Sequence, residues 1–317
     1  MRKFLVSLLT FLPLLACRST HPTQAPLSPA VFTHDGSAIV FSVARNDNCF
    51  LYQADIASGK VRRITDATSG CESDPAFSLD GRRLAFMRSA RIGARAALMI
   101  AKPDGTDAKT LVPSGEDDLQ PIFLPGSDQI LFLRSGAFEH HSPLVDNSRH
   151  KFDLFSADLS NGSVTALTDQ KFYEMSHVSV SADGKQILIT VSTYPEGDHF
   201  LIYPVTTSQA HVKSLQPKVP DGPKGGPVLY NAVWIPDGKS LLFSAATLHQ
   251  NGGNFDYNVY RFTLASGTIE KLTDLTGLLD GFSVSSDGKR AVLLHQGVYS
   301  ILDLGTHQIS SIALQMQ

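Results

Sequence analysis

A short motif that recurs along nearly the whole 317-residue chain constrains the fold more than any other feature. In its clearest copy, residues 74–86, two stretches of alternating apolar residues flank Asp80-Gly81. Such alternation is typical of half-buried strands, and glycine supplies the positive φ that a tight hairpin turn needs. The motif therefore predicts two antiparallel strands joined by a turn.

The same turn returns at intervals that point to a repeat architecture. The other copies are Asp35-Gly36, Pro125-Gly126, Asp183-Gly184, Asp237-Gly238 and Asp287-Gly288, and successive turns lie 45, about 46, about 57, 54 and 50 residues apart. Three copies also end alike, on Ile64-Thr65-Asp66, Leu167-Thr168-Asp169 and Leu272-Thr273-Asp274. This period, with four short strands per copy, is typical of a β-propeller. We predict an all-β fold over residues 28–317: a six-bladed β-propeller with four antiparallel strands per blade.

The motif at residues 74–86 resembles the PD40 repeat of TolB-like six-bladed propellers, whose core reads roughly P-x-F-S-P-D-G-x-x-I-x-F. The resemblance covers about residues 28–314 and implies the propeller fold. TolB carries an α/β domain before its propeller, and prolyl-oligopeptidase relatives add a hydrolase domain. We expect neither domain in this chain, so the resemblance implies the fold and not the activity of any one member.

Residues 1–17 have the layout of an export signal. Arg2 and Lys3 precede an apolar run that is too short to span a bilayer comfortably. The segment Leu14-Leu15-Ala16-Cys17 is similar to a bacterial lipobox, which implies that Cys17 becomes the lipidated first residue of the mature protein. Arg18 then favours the outer membrane by analogy with sorting rules, and residues 18–27 are interpreted as a tether. The alternative is an ordinary cleaved signal in which Cys17 is incidental.

The charge balance and the motif content exclude several function classes. A net charge of −3 and a pI near 6.4 imply no basic face for nucleic acid. No P-loop, dinucleotide fingerprint or G-x-S-x-G elbow occurs, so we predict no cofactor and no catalytic residue. The acidic run Glu116-Asp117-Asp118 is interpreted as the solvated face of a loop between blades.

Two further cysteines agree with export to an oxidising compartment. We place Cys49 in the third strand of the first blade and Cys71 just after its fourth strand, at the same rim. A Cys49–Cys71 disulfide is therefore predicted. The alternative is a pair of free buried thiols.

The loops at one rim are irregular, whereas the Asp-Gly turns at the other rim are uniform. The irregular loops are Arg134–Lys151, Pro217–Tyr230 and Ala245–Asn258, and variable loops on one face of a repeat scaffold often form its binding face. Several histidines also map to this rim, and four could supply ligands to a divalent metal: His140, His141, His150 and His177. The alternative is that they are solvated loop histidines.

A polar ring is predicted at the mouth of the central channel. Six residues before each turn, where we expect the innermost strand to begin, four consecutive blades carry Asp74, Gln120, His177 and Asn231; the remaining two positions are Pro29 and Gly281. Innermost strands crowd the axis, so these side chains would converge on one space. They would hold a ligand loop or peptide there, or they would line a water-filled funnel.

These observations lead to two hypotheses of different classes. The first is a lipid-anchored, periplasm-facing module of the cell envelope that binds an envelope protein or peptide at the irregular rim. The second is a divalent-metal-dependent polysaccharide lyase of the oligogalacturonate type, since such enzymes place histidines at the channel mouth and the surroundings of His177 loosely resemble that position. The second would need further ligands from His140, His141, His150 or His199.

Overall fold

The computed structural model describes residues 28–113, 116–139, 148–193, 197–205, 212–223, 227–248 and 255–315. Across these ranges the chain forms 24 strands and no helix. Accordingly, no helix among the described residues is long and apolar enough to cross a membrane. Cys17, His140 and His141, which carry three of the sequence-based predictions, lie outside the described residues.

The strands follow one another in groups of four. Their bounds are β1 (Val31–Phe32), β2 (Ala38–Arg45), β3 (Asn48–Asp55), β4 (Val61–Arg63); β5 (Cys71–Phe77), β6 (Leu84–Ser89), β7 (Ala96–Ala101), β8 (Lys109–Val112); β9 (Asp117–Phe123), β10 (Gln129–Glu139), β11 (Ser148–Asp158), β12 (Val164–Ala166); β13 (Glu174–Val180), β14 (Gln186–Thr193), β15 (Gly197–Pro204), β16 (Lys213–Leu215); β17 (Leu229–Trp234), β18 (Ser240–Leu248), β19 (Phe255–Thr263), β20 (Ile269–Lys271); β21 (Leu279–Val284), β22 (Arg290–His295), β23 (Val298–Asp303) and β24 (Ile309–Ser311).

These strands build an all-β propeller. Strands β9–β12, β13–β16, β17–β20 and β21–β24 each form a separate four-stranded antiparallel sheet. The first eight strands share one sheet, in which β3 and β5 are joined by a single parallel pair, Cys49 opposite Cys71. A disulfide links these two cysteines, whose Cα atoms lie 4.2 Å apart. Cys71 is the first residue of β5, so the expectation that it directly follows the fourth strand of the first blade is wrong.

The recurring Asp-Gly turns have the chemistry that the sequence predicts. Gly81 adopts a φ of 69°, and its N–H donates to the carbonyl of Ser78 at 2.9 Å. The Asp80 carboxylate accepts hydrogen bonds from the Ser78 hydroxyl at 2.6 Å and from the Arg82 N–H at 3.0 Å. The aspartate thereby organises the backbone of the turn while glycine supplies its left-handed residue.

The shared Thr-Asp endings also have a structural reason. Thr168 accepts a hydrogen bond from the Leu154 N–H at 2.9 Å and donates to the buried Asp153 at 2.7 Å. Thr273 repeats this pattern with Val259 and Asn258. The threonine therefore fastens the chain leaving the outermost strand to the third strand of the same sheet.

The hydrophobic core lies between neighbouring sheets. One cluster joins Phe200 of β15 to Trp234, Phe243 and Tyr260 of the next sheet, and Trp234 is only 5% exposed, as the sequence predicts for a core residue. The first and last sheets also pack on each other, and the ring centroids of Phe41 and Tyr299 lie 4.9 Å apart. These contacts join the two ends of the described chain.

Three sequence-based expectations need correction. Strand β5 begins three residues before Asp74, so the polar ring lies inside the innermost strands and not at their first residues. Much of the irregular segments 134–151 and 245–258 belongs to the long hairpins β10–β11 and β18–β19. Asp117 and Asp118 are buried in β9 rather than solvated, because each pairs with an arginine.

Candidate functional site: the axial ring and the mouth face

The four predicted ring residues share one unusual backbone conformation. Asp74, Gln120, His177 and Asn231 lie in β5, β9, β13 and β17 with φ values of 51°, 50°, 54° and 55°. Beside each residue the pairing with the second strand of the sheet shifts register. Positive φ is uncommon outside glycine, and a bulge of this kind re-aims a side chain. The innermost strand of each of these four groups is therefore bent at the same point. We call these four residues the axial ring.

Hydrogen bonds connect three members of the axial ring in sequence. The main-chain N–H of Gln120 donates to Asp74 Oδ2 at 3.4 Å, and the N–H of His177 donates to Gln120 Oε1 at 2.6 Å. Each of these side chains thus caps the bulged residue of the following group. Asn231 departs from the pattern, because its Nδ2 lies 3.4 Å from Ser244 Oγ within its own sheet.

The electrostatics of Asp74 reflect its place inside the ring of sheets. Burial raises the pKa of its carboxyl, although the N–H of Gln120, the charge of Arg149 and the Ser73 hydroxyl oppose the rise. Asp74 nevertheless keeps partial solvent access. Arg149 itself pairs with Asp117 at 2.5 Å. The ring therefore has a basic neighbour on the β10–β11 hairpin.

Among the described residues of the axial ring, only His177 has a fully buried side-chain atom that lacks a hydrogen-bond partner. Its Nδ1 is buried and has no hydrogen-bond partner in the described structure. Burial lowers the pKa of its imidazole to about 4. At neutral pH the ring therefore contains an uncharged imidazole, two amides and one carboxyl group. Such groups can exchange hydrogen bonds with a ligand, and the buried Nδ1 is available for one.

Two buried ion pairs lie next to the axial ring. Glu72 in β5 and Asp118 in β9 stand two residues before their ring residues, and both carboxylates are fully buried. Arg88 donates to Glu72 at 2.7 and 3.1 Å, and Arg134 donates to Asp118 at 2.6 and 2.9 Å. Arg134 contacts both oxygens of Asp118, and a bidentate pair of this kind holds the two planar groups in one orientation. The two ion pairs fix the innermost strand to the second strand next to each bulge.

The described histidines of the alternative metal site do not come together as one ligand set. His150 stacks on Tyr173 with ring centroids 4.3 Å apart, and its Nδ1 lies 3.1 Å from the Tyr173 carbonyl oxygen. His199 Nδ1 lies 3.1 Å from the carbonyl oxygen of Gly197. Among the described residues, no three His, Cys, Asp or Glu side chains are grouped so that they could hold a metal ion.

Exposed apolar side chains concentrate on the face where the innermost strands begin, which we call the mouth face. It contains the first residues of β5, β9, β13, β17 and β21, with the turns that connect the second and third strands. Ten large apolar side chains among the described residues are exposed, and seven lie on this face: Ile92, Tyr173, Tyr230, Leu248, Phe255, Leu278 and Val298. Leu79, Val164 and Ile309 lie at the opposite ends of their sheets.

Part of the mouth face combines aromatic rings with carboxylates. Tyr230 and Tyr257 have ring centroids 5.8 Å apart. Burial raises the pKa of the Tyr230 phenol, and Tyr257 and the nearby carboxylates of Asp198 and Glu174 raise it further. We call Glu174, Asp198, Tyr230 and Tyr257 the acidic aromatic patch. A surface of this composition suits a partner that presents apolar and positively charged groups.

Sequence reasoning missed Arg149, Asp198 and Tyr257. The sequence repeat identifies the turns and the innermost strands of the propeller. Arg149, Asp198 and Tyr257 instead lie on the third strands or at their ends. The only available signal was the irregular length of segments 134–151 and 245–258, which marks the hairpins carrying Arg149 and Tyr257.

The fold places the chain among all-β propellers, and comparison with known proteins agrees. No protein-family model matches the sequence. A 67-residue segment, 21% of this chain, is 37% identical to the Tol-Pal system protein TolB of Francisella tularensis subsp. mediasiatica (strain FSC147). That alignment spans only 15% of the length of the relative.

Solved structures extend the likeness to most of the chain. TolB from Acinetobacter baumannii superposes with a TM-score of 0.62 at 16% identity, over 90% of this chain and 63% of that one. An oligogalacturonate lyase in complex with manganese superposes with a TM-score of 0.58 at 14% identity, over 90% of this chain and 76% of the lyase. At these identities the superpositions show the fold alone.

Proposed function

We propose that this chain is a periplasmic, lipid-anchored β-propeller of the cell envelope that binds a protein or peptide on its mouth face. The observation that supports the proposal most strongly is that seven of the ten exposed large apolar side chains among the described residues lie on that face. Clustered exposed apolar surface on a soluble body marks an interaction site more often than scattered single residues do. The local likeness to a Tol-Pal system protein supports a place in the envelope.

The axial ring and the acidic aromatic patch give the proposed site two kinds of contact. Tyr230 and Tyr257 offer flat apolar area with polar edges, which is typical of binding hot spots. Asp198 and Glu174 would attract positive charge on the partner. The unpartnered His177 Nδ1 would accept or donate one hydrogen bond to a segment that enters the channel.

The proposed architecture is a closed ring of six blades. In this proposal β1–β4 and β5–β8 are two blades, and their common sheet results from the single pair at Cys49 and Cys71. The contacts between the first and last sheets support closure. The Ser283 hydroxyl donates to the Ala30 carbonyl at 2.8 Å, and the Gln315 N–H donates to the Gly59 carbonyl at 2.8 Å.

The proposed export and anchor rest on residues 1–17, and the disulfide supports an oxidising compartment. Labelled palmitate should be incorporated by the wild-type chain in a bacterial host, and Cys17→Ser should abolish incorporation. The labelled protein should fractionate with the outer membrane and be accessible from the periplasm. Equal labelling of Cys17→Ser would disprove the anchor and leave the mouth-face proposal to its own test.

Photo-crosslinking in the envelope tests the binding face. Leu278 on the mouth face and Leu79 on the opposite face are 55% and 57% exposed, so a photo-reactive residue at either position is equally accessible. We expect one defined adduct from position 278 and none from position 79. The adduct should disappear in the double variant Tyr230→Ser and Phe255→Ser. Equal adducts from both positions, or none from position 278, would overturn the proposal.

A metal-dependent lyase is the second candidate, favoured by the structural likeness to a manganese-bound oligogalacturonate lyase and by the unpartnered His177 Nδ1 in the channel. Protein without a His tag should be dialysed against trace Mn²⁺, Zn²⁺ and Ca²⁺, and bound metal should be quantified. Stoichiometric metal that is lost in both His177→Ala and His140→Ala would favour the enzyme. Absence of bound metal would favour the binding module.

A further inference from the structure

A pocket separate from the axial ring opens at the outer part of the fifth four-strand group. It has a volume of about 470 Å³ and lies between the β18–β19 hairpin, β20 and the segment before β17. Its lining includes Pro220, Asp221, Leu248, Asp256, Tyr260 and Asp274. The N–H of Leu248 donates to the carbonyl of Asp221 at 2.9 Å, which holds the segment against the hairpin.

Tyr260 is a buried residue that also lines this pocket. The residue is only 1% exposed, and its ring stacks on Phe243 with centroids 5.5 Å apart. Its hydroxyl makes no hydrogen bond within the described part of the chain. Burial and the nearby carboxylates of Asp221 and Asp274 raise the pKa of the phenol to about 12. The hydroxyl is therefore protonated at neutral pH and free to accept a hydrogen bond.

The charged groups of the pocket lining are mostly negative. Among the described residues of the lining there are three carboxylates, Asp221, Asp256 and Asp274, and one cation, Lys271. Lys271 pairs with Asp274 at 2.7 Å, and Asp256 Oδ1 accepts a hydrogen bond from the Gly277 N–H at 2.7 Å. The Asp221 carboxylate has no hydrogen-bonding or ionic partner among the described residues. The Asp221 carboxylate and the Tyr260 hydroxyl can both accept hydrogen bonds. A cationic group that donates hydrogen bonds would satisfy both of them.

Apolar groups complete the pocket. Pro220, Leu248 and Ile269 line the same space as the carboxylates. A ligand with a charged head and an aliphatic stem would place the stem against these side chains and the head between Asp221 and the Tyr260 hydroxyl. Lysine and arginine side chains have this amphipathic form, as do small alkyl amines.

We propose that this pocket binds an organic cation, an ammonium or guanidinium group carried on an aliphatic stem. The head group donates hydrogen bonds to Asp221 and to the Tyr260 hydroxyl, while Pro220 and Leu248 contact the stem. The cation comes either from a free small amine or from a basic side chain of a bound peptide. The site does not depend on the axial ring, so it stands whether or not the mouth face binds a protein.

Calorimetric titration of the folded chain with n-pentylamine, agmatine, N-acetyl-lysinamide and the neutral n-pentanol tests the proposal. We expect the three cations to bind and the alcohol not to bind, with affinity falling as salt rises. Asp221→Asn and Tyr260→Phe should each weaken binding about tenfold, which is typical for loss of a hydrogen bond to a charged group. Tighter binding of the lysine derivative than of pentylamine would identify a peptide side chain as the source, and the reverse a free amine.

The first sheet supplies matched control variants. Tyr52 and Asp66 occupy the positions equivalent to Tyr260 and Asp274, because Tyr52 pairs with Arg63 as Tyr260 pairs with Lys271. Tyr52→Phe and Asp66→Asn should leave the affinity unchanged. No binding of any cation, equal binding of n-pentanol, or unchanged affinity in both Asp221→Asn and Tyr260→Phe would overturn the proposal.

Discussion

At the scale of single residues, His177 couples the stability of the fold to pH. Burial lowers its pKa from 6.5 to about 4, so the unfolded chain binds a proton on this group before the folded chain does. Its contribution to stability is therefore full above pH 6.5 and is lost as the pH falls from 6.5 toward 4. The loss is at most about 3–4 kcal/mol, because one pKa unit corresponds to about 1.4 kcal/mol.

His177→Asn should remove this pH dependence without strain. Asparagine does not titrate and tolerates a left-handed backbone, as Asn231 already shows at the equivalent position. We expect urea unfolding to give nearly equal stability for variant and wild type at pH 7.5, and a smaller acid-induced loss for the variant at pH 4.5. The exposed His34, replaced by Asn, is the control. An unchanged pH profile in His177→Asn would contradict the assignment.

Trp234 combines a large buried ring with an unsatisfied donor. Its side chain belongs to the cluster around Phe243, and its indole Nε1 is buried without a hydrogen-bond partner. Trp234→Ala should cost about 3–5 kcal/mol through the cavity that it leaves. Trp234→Phe should cost less than about 2 kcal/mol, because it also removes the unsatisfied N–H. Urea unfolding of both variants measures the difference, and equal losses would contradict this account.

At the scale of structural elements, the ion pair between β9 and β10 holds the innermost strand in place. Asp118 is fully buried, and burial raises the pKa of its carboxyl although Arg134 opposes the rise. Arg134→Met should cost about 3–5 kcal/mol, because it leaves a buried carboxylate unpaired. The double variant with Asp118→Asn should recover part of the loss.

An exposed pair provides the control for this prediction. Lys102 and Asp107 are 2.6 Å apart, but both side chains are more than 60% exposed. Lys102→Met should therefore change the free energy of unfolding by less than about 1 kcal/mol. Equal losses in Lys102→Met and Arg134→Met, measured by urea unfolding, would show that burial of the pair does not matter.

The disulfide also connects structural elements, because it joins β3 to β5. Cys49 and Cys71 are separated by 22 residues, and closing a loop of that length stabilises a fold by roughly 3 kcal/mol in the chain-entropy model. Dithiothreitol should lower the melting temperature of the wild type. The double variant Cys49→Ala and Cys71→Ala should melt near the reduced wild type and not respond to dithiothreitol. Two free thiols in protein purified from the periplasm would contradict the prediction.

Local chemistry determined which of these features could be predicted from the sequence. The Asp80-Gly81 turn and the burial of Trp234 follow from residue type and spacing, so the sequence is sufficient to predict the propeller fold and to align Asp74, Gln120, His177 and Asn231 with one another. The bulge at Asp74 cannot be predicted from the sequence, because its left-handed backbone depends on pairing between β5 and β6. The burial of Asp117 and Asp118 cannot be predicted from the acidic run alone, because their arginine partners lie on other strands.

At the scale of the whole molecule, the proposed closure of the ring depends on contacts between residues more than 250 positions apart. Arg290 donates to the carbonyl of Gly36 at 2.9 Å, and Ser286 donates to the carbonyl of His34 at 3.0 Å. Nearer the mouth face, Gly281 lies against Pro29. Closing such a long loop is entropically costly, so these contacts would form late and break early. The seam between the first and last sheets is therefore the place where the propeller should open first.

Gly281→Ala tests the seam directly. A Cβ atom at Gly281 would lie 2.7 Å from Pro29 Cγ and 3.0 Å from Pro29 Cβ, so either β21 or the segment before β1 must shift. We expect a loss of about 1–3 kcal/mol in urea unfolding, as for other overpacked contacts. Hydrogen exchange should accelerate in β1 and β21 more than in β13. Gly305→Ala in the same sheet is the control, since its Cβ would meet only Asp303 Oδ1 at 3.5 Å. If Gly281→Ala matches this control in both measurements, the first and last sheets do not form a stabilising seam, and the closed ring is contradicted.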